Sequence, residues 1–233
     1  MFNGNRVRGA AAAARLKRRL RAAGAALAVA AGGLAAGLVL AHLVEPALAV
    51  LDRELLPALR RADDPARPLG PPWLLIAVRD VTALGGHTLV VSIGITAAAY
   101  LAVLRRWRRA ALVLATVAGA VALGIALKLG IGRERPDLVA PLVDVRSLSF
   151  PSGHALLAAV VYPTVGALLA SARPERKARV FVMAVAILIT VLVGLSRLYL
   201  GVHWPTDVIA GWLFGGAWAA ACWYIARFWG RWR

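Results

Sequence analysis

Acidic side chains, lysine and cysteine are scarce in this chain. Against 28 Lys and Arg stand 11 Asp and Glu, for a formal net charge of +17, and only three cations (Lys17, Lys128 and Lys177) are lysines. The single cysteine, Cys222, excludes an intrachain disulfide and leaves the redox compartment unspecified. Asp, Glu, His and Cys nowhere cluster with metal-ligand spacing, so the expected chemistry is metal-independent and uses no cofactor. Charged residues are 17% of the 233 and hydrophobic ones 61%, with a mean hydropathy of +0.71. That ratio excludes a soluble core and indicates one polytopic membrane domain. In a soluble protein such positive charge would point to nucleic acid. Here the sidedness of the charge explains it, and no nucleic-acid partner is expected.

What the chain does have is a series of long uncharged runs. The first, 22–44, follows a basic segment, 1–21, with seven cations and no acid. A cleaved signal peptide is the competing reading, because Ala47, Leu48 and Ala49 resemble a cleavage site. A run of this length exceeds the usual ~7–15-residue h-region, which favours an uncleaved first helix. Further runs at 81–104, 110–127, 155–172, 180–196 and 208–226 bring the expected spans to six, each near the ~20 residues that cross hydrocarbon. The expected fold class is therefore all-α, a six-helix transmembrane domain over 22–233. In the loop between the first two spans, 45–80, Leu48, Leu51, Leu55, Leu56 and Leu59 recur at helical spacing among Asp52, Arg53 and Glu54. This loop reads equally as an amphipathic helix on the outer membrane surface and as a solvated connection.

Loop charge orients the bundle. Residues 1–21, 105–109, 173–179 and the C-terminal tail carry 18 cations and one acid, Glu175, whereas the other loops carry ten of each. The positive-inside rule places the first set, with both termini, in the cytoplasm of a cell-membrane protein. Trp73 and Trp204 then belong to an outer interfacial belt, and Trp107, Trp223, Trp229 and Trp232 to an inner one. Gly211-x3-Gly215 reads as intramolecular close packing rather than a dimer seam.

Ionised residues in such a chain are costly unless they have a task, and they gather at the ends of the runs. KLGIGRERP at 128–136 closes the third span and FPSGH at 150–154 opens the fourth. SRLYLGVHWPTD at 196–207 joins the last two spans. All three clusters fall on the outer face. His203 and Asp207 are four residues apart, so a helical turn there lets the carboxylate hold one ring nitrogen and leaves the other as nucleophile or base. Arg197 is a planar fork of donors suited to phosphate.

The ordered patterns K-x6-R-P, P-S-G-H and S-R-x5-H-x3-D over 128–207 resemble the type 2 phosphatidic acid phosphatase superfamily of membrane lipid-phosphate phosphatases, with every motif position filled. The resemblance implies that His203 forms a phosphohistidine with Asp207 as its orienter. His154 is then general acid and afterwards base, and Lys128, Arg135, Ser152, Gly153 and Arg197 hold the phosphate. Implied substrates are undecaprenyl diphosphate, phosphatidic acid and phosphatidylglycerophosphate, presented from the membrane. Competing classes are a vanadium haloperoxidase, a non-catalytic lipid-phosphate binder or transporter, and a sugar phosphatase. Six spans oppose the first, and the complete acid, nucleophile and orienter set opposes the second. Arg133 and Arg146 are expected as head-group contacts or solvated charges, and His42 and His87 as interfacial residues.

Overall fold

The computed structural model describes residues 45–229, with side chains placed over 48–226, and a few isolated positions before residue 45. The expected first span, the basic segment 1–21 and the end of the C-terminal tail lie outside these residues. The elements are α1 (Glu45–Ala58), α2 (Pro72–Ala83), α3 (His87–Val103), α4 (Trp107–Ile131), α5 (Gly153–Ser171), α6 (Arg176–Tyr199) and α7 (Pro205–Trp229). Among the described residues there is no strand, only an isolated antiparallel bridge between Arg60 and Pro68, so the all-α expectation holds.

Helices α4 to α7 are each long and apolar enough to cross a membrane. The pair α2 and α3, bent by 44° at its break, makes a fifth candidate. This corrects the expected span at 81–104: the helical pair starts at Pro72, includes Arg79 and Asp80, and breaks over 84–86. At the break Leu84, Gly85 and Gly86 donate to carbonyls three residues back, at 2.9–3.1 Å. A side chain on Gly85 would run into Val193 Cγ1 of α6 and meet the Cβ of His154 at 3.2 Å, so glycine is what lets the bend press against α6 and α5.

Helix α5 is the hub, with residues 155–161 all buried. Its partners can approach because they present small residues, the usual solution where apolar burial gives helices no drive to associate in lipid. A Cβ on Gly211 of α7 would meet the Ser152 carbonyl oxygen at 2.8 Å, and one on Gly215 would meet Ala159 Cβ at 2.8 Å. The small-residue pair is thus an intramolecular seam. Trp212 Nε1 donates to the Thr190 carbonyl at 3.1 Å and Trp218 Nε1 to that of Thr116 at 2.8 Å, so two tryptophans brace helices internally. Trp73, Trp107 and Trp223 are exposed.

Residues 45–58 are helical and 59–71 are not, so the segment 45–80 joins a helix, an irregular connection and the start of α2. The helix docks on the bundle through Leu55, Leu56 and Leu59, which pack with Val139, Leu198 and Val208, and Leu56 is fully buried. Helix α2 runs on into α3 across the 44° bend, and from α3 to α7 the helices alternate in direction. The break after α2, the end of α4, the starts of α5 and α7 and the end of α6 therefore share one end of the bundle, and the basic turns at 104–106 and 172–175 share the other.

Candidate active site

Pro205 starts α7 abruptly, since a proline at the first helical position lacks only an N–H that would be unpaired there anyway. His203 therefore precedes the helix, in the turn after Gly201 (φ 71°), and is not within a helical turn as the sequence suggested. The contact to Asp207 forms nonetheless, because Asp207 is the third helical residue and reaches back. Its Oδ2 accepts the Trp204 backbone N–H at 2.9 Å, as in a capping box, and lies 3.4 Å from His203 Nδ1. His203 is 2% and Asp207 0% exposed.

Burial pushes the His203 imidazole down to about 4, against the opposing pull of Asp207, so the ring is neutral near pH 7. Its other nitrogen, Nε2, faces Arg135 Nη1 at 3.4 Å. Arg135 is fixed from two sides: Nε donates to the Ser147 carbonyl at 2.7 Å, Nη2 to Ser147 Oγ at 3.1 Å, and Nη1 to the Val202 carbonyl. A guanidinium has five N–H groups, so donors remain on the side of Nε2.

The other expected residues converge on the same end. Lys128, in the last turn of α4, donates to the Leu148 carbonyl. Arg197, 3% exposed at the end of α6, donates through Nη1 to Thr82 Oγ1 at 3.0 Å, while its Nε is buried with no partner. Ser152 stands at the N-cap position of α5 but makes no capping bond, and its buried hydroxyl is likewise unpartnered. That corrects the expected capping role: the Ser152 hydroxyl stays unsatisfied at the start of α5, as Arg197 Nε does at the end of α6. Orphaned groups of this kind fit an anion at a helix N-terminus.

Two expectations fail. His87 opens α3 beside the pocket, its ring edge-on to His154 at 6.1 Å between centroids, instead of lying at the interface. Arg133 is no head-group contact: it pairs with Asp207 Oδ1 at 2.9 Å and with Asp52 Oδ2 at 2.8 Å. Arg146 is a solvated charge as expected. His42 lies outside the described residues.

A family model described as the PAP2 superfamily matches residues 109–231. The chain is 39% identical over 145 residues to phosphatidylglycerophosphatase B of Bacillus subtilis, covering 62% of this chain and 71% of that one. It is 46% identical over 67 residues to an undecaprenyl-diphosphatase of Sulfolobus acidocaldarius, covering 29% of this chain and 28% of that one. The crystal structure of the transmembrane PAP2-type phosphatidylglycerolphosphate phosphatase from Bacillus subtilis superposes with a TM-score of 0.77 at 31% identity, covering 88% of this chain and 98% of that one. The chain belongs to the PAP2 superfamily. As a member it is a membrane phosphatase that acts on lipid phosphates.

Several residues around this candidate site escaped the sequence reading. Ser149 Oγ donates to Asp207 Oδ2 and lies 3.5 Å from His203 Nδ1. Thr82 holds Arg197, and Asp52 and Thr206 complete the Arg133 network. Ser149 had a signal, being a polar residue three before Ser152 in the segment that opens α5. Thr82 and Asp52 had none, since each meets its partner only through tertiary packing.

Proposed function

We propose that the protein hydrolyses a phosphomonoester or diphosphate of a lipid through a phosphohistidine on His203, at the outer membrane face. The observation that carries this reading is the division of the buried imidazole: Nδ1 faces a carboxylate at 3.4 Å and Nε2 faces a guanidinium at 3.4 Å. The carboxylate favours the tautomer with its proton on Nδ1, which leaves the Nε2 lone pair where cations would hold a phosphate.

In the first step Nε2 attacks phosphorus and the bond from phosphorus to the leaving oxygen breaks. His154 gives that oxygen its proton, and Asp207 stabilises the positive charge that grows on the ring. In the second, water attacks the phosphoryl group, His154 takes the water's proton, and the P–N bond breaks to release phosphate. Lys128, Arg135 and Arg197 offset the charge spread over the equatorial oxygens, and the orphaned Arg197 Nε and Ser152 Oγ supply donors there.

The membrane arrangement is proposed from charge. With 22–44 as the first span, residues 22–233 form a six-helix phosphatase domain behind a cytoplasmic basic segment, 1–21. The basic turns at 104–106 and 172–175 and both termini face the cytoplasm of the cell membrane, and the site faces outward. The lipid tail stays between helices while the phosphate enters at head-group level.

Phosphate release from purified phosphatidylglycerophosphate, phosphatidic acid and undecaprenyl diphosphate, with His203→Ala beside the wild type, tests this reading. Phosphatidylglycerophosphate leads the panel, given the Bacillus relative. The variant should be inactive on every substrate while keeping its detergent stability. Wild-type binding without turnover on any of them would favour a lipid-phosphate binder, and an active His203→Ala would remove the nucleophile.

A further inference from the structure

The network around Asp207 continues beyond any residue placed against phosphate. Asp52, on α1, is 4% exposed although it opens a run of three charged residues, Asp52, Arg53 and Glu54. Its Oδ1 accepts the Thr206 backbone N–H at 3.0 Å. Its Oδ2 accepts from Thr206 Oγ1 at 2.7 Å and from Arg133 Nη2 at 2.8 Å. Asp52 therefore supplies a carboxylate to the N-terminal turn of α7, where an unpaired N–H and the helix dipole both favour negative charge. Arg133 Nη1 continues to Thr206 Oγ1 at 2.6 Å and Asp207 Oδ1 at 2.9 Å, and its guanidinium lies 5.4 Å from the centre of the Trp204 ring.

Charge decides what this arrangement does. Arg133 paired with Asp207 alone would cancel the one negative group facing His203. Because Asp52 shares the guanidinium, the three groups together keep one net negative charge. The other groups around the imidazole cannot supply it: Arg135 comes from the 132–152 loop, Arg197 from α6 and His154 from α5, and the charge of Lys128 on α4 reaches Asp207.

We propose that Asp52 is a positioning residue for phosphoryl transfer: by sharing Arg133 it keeps Asp207 oriented and negative toward His203, which makes α1 part of the active site. This rests on His203 as nucleophile and Asp207 as its orienter. Without Asp52, the imidazolium and the phosphoryl-imidazolium lose stabilisation although no group touching substrate has changed.

The sign of the charge supplies the test. Phosphate release from dioctanoyl phosphatidic acid is followed between pH 2.5 and 7 for the wild type, Asp52→Asn, Arg133→Gln and the double variant, with thermal unfolding in detergent alongside. Asp52→Asn leaves Arg133 to Asp207 alone, so kcat should fall more than tenfold at unchanged KM and the acidic limb of kcat/KM should move down by about one pH unit. Arg133→Gln should move the limb up, and the double variant should return it to the wild-type position. Asp52→Glu should recover most of the rate. Rate losses that merely follow unfolding temperature, or limbs of the two single variants that stay put or move together, overturn the proposal. If His203→Ala is inactive while these limbs do not move, the inference about Asp52 fails alone; if His203→Ala is active, the nucleophile reading fails first.

Discussion

Arg197 offers the sharpest test of how the pocket recognises phosphate. Its guanidinium is buried, Nη1 is committed to Thr82 at 3.0 Å, and Nε has no partner. A buried charged donor left unmade is costly; Arg60 Nε is left so as well, but Arg197 Nε belongs to the cations around the two histidines, where an arriving anion would be its partner. Arg197→Lys keeps the charge but removes the Nε donor and the planar fork. A hydrogen bond to an anion contributes ~2 kcal/mol, which corresponds to a ~30-fold loss in kcat/KM if it is made in the transition state. The lost Thr82 contact is an ordinary bond worth ~1 kcal/mol, so Thr82→Val should cost only ~5-fold and separates the two contributions. The assay is phosphate release from dioctanoyl phosphatidic acid, paired with thermal unfolding with and without inorganic phosphate. The variant should unfold within a few degrees of the wild type but lose most of the phosphate-induced rise. An unchanged rise, with kcat/KM within threefold of wild type, would refute the assignment of Nε to phosphate.

Other outcomes follow from the same geometry. Because burial lowers the His203 pKa to about 4, below the ordinary 6.5, the ring becomes cationic only near that pH; kcat/KM should hold as pH falls through 6 and collapse toward 4, and a limb centred near 6.5 would contradict a buried nucleophile. The same shift means that protons favour the unfolded chain, so thermal stability should fall as pH drops from about 6.5 to about 4. Gly211→Ala places a methyl 2.8 Å from the Ser152 carbonyl and 3.1 Å from the Leu156 nitrogen; separation of α5 from α7 should cost about 1–3 kcal/mol and reduce activity through displaced His154, whereas full stability and activity would show the seam to be slack. Turnover should survive excess EDTA in dialysed enzyme, and restoration of a lost rate by one divalent ion would indicate different chemistry.

The legible part of the site was its local part. His203 and Asp207 are near neighbours in the chain, so any turn that starts a helix at Pro205 brings them together. FPSGH likewise announces a helix start. Arg133 was misjudged because a cation at a span end normally meets head groups, and only its two buried carboxylates say otherwise. One of these, Asp52, lies 154 residues from its partner Thr206. The bend after α2 was similarly hidden: the apolar run is continuous through 81–104, and nothing local says that Gly85 must admit His154.

By itself the chain determined an all-helical membrane protein and the cations at one end of its spans, which follow from hydropathy and charge, while the roles expected of its histidine, aspartate and arginine residues came from the resemblance that its motifs carry. Only the tertiary structure decided that α1 turns Asp52 inward, that Thr82 and His87 reach the pocket at a bend, and which donors remain unpaired. Those features depend on which helix faces meet, and in an apolar chain that is set by the fit of small residues such as Gly85, Gly211 and Gly215 against α5, where side chains interlock across distances in the chain that no periodicity spans.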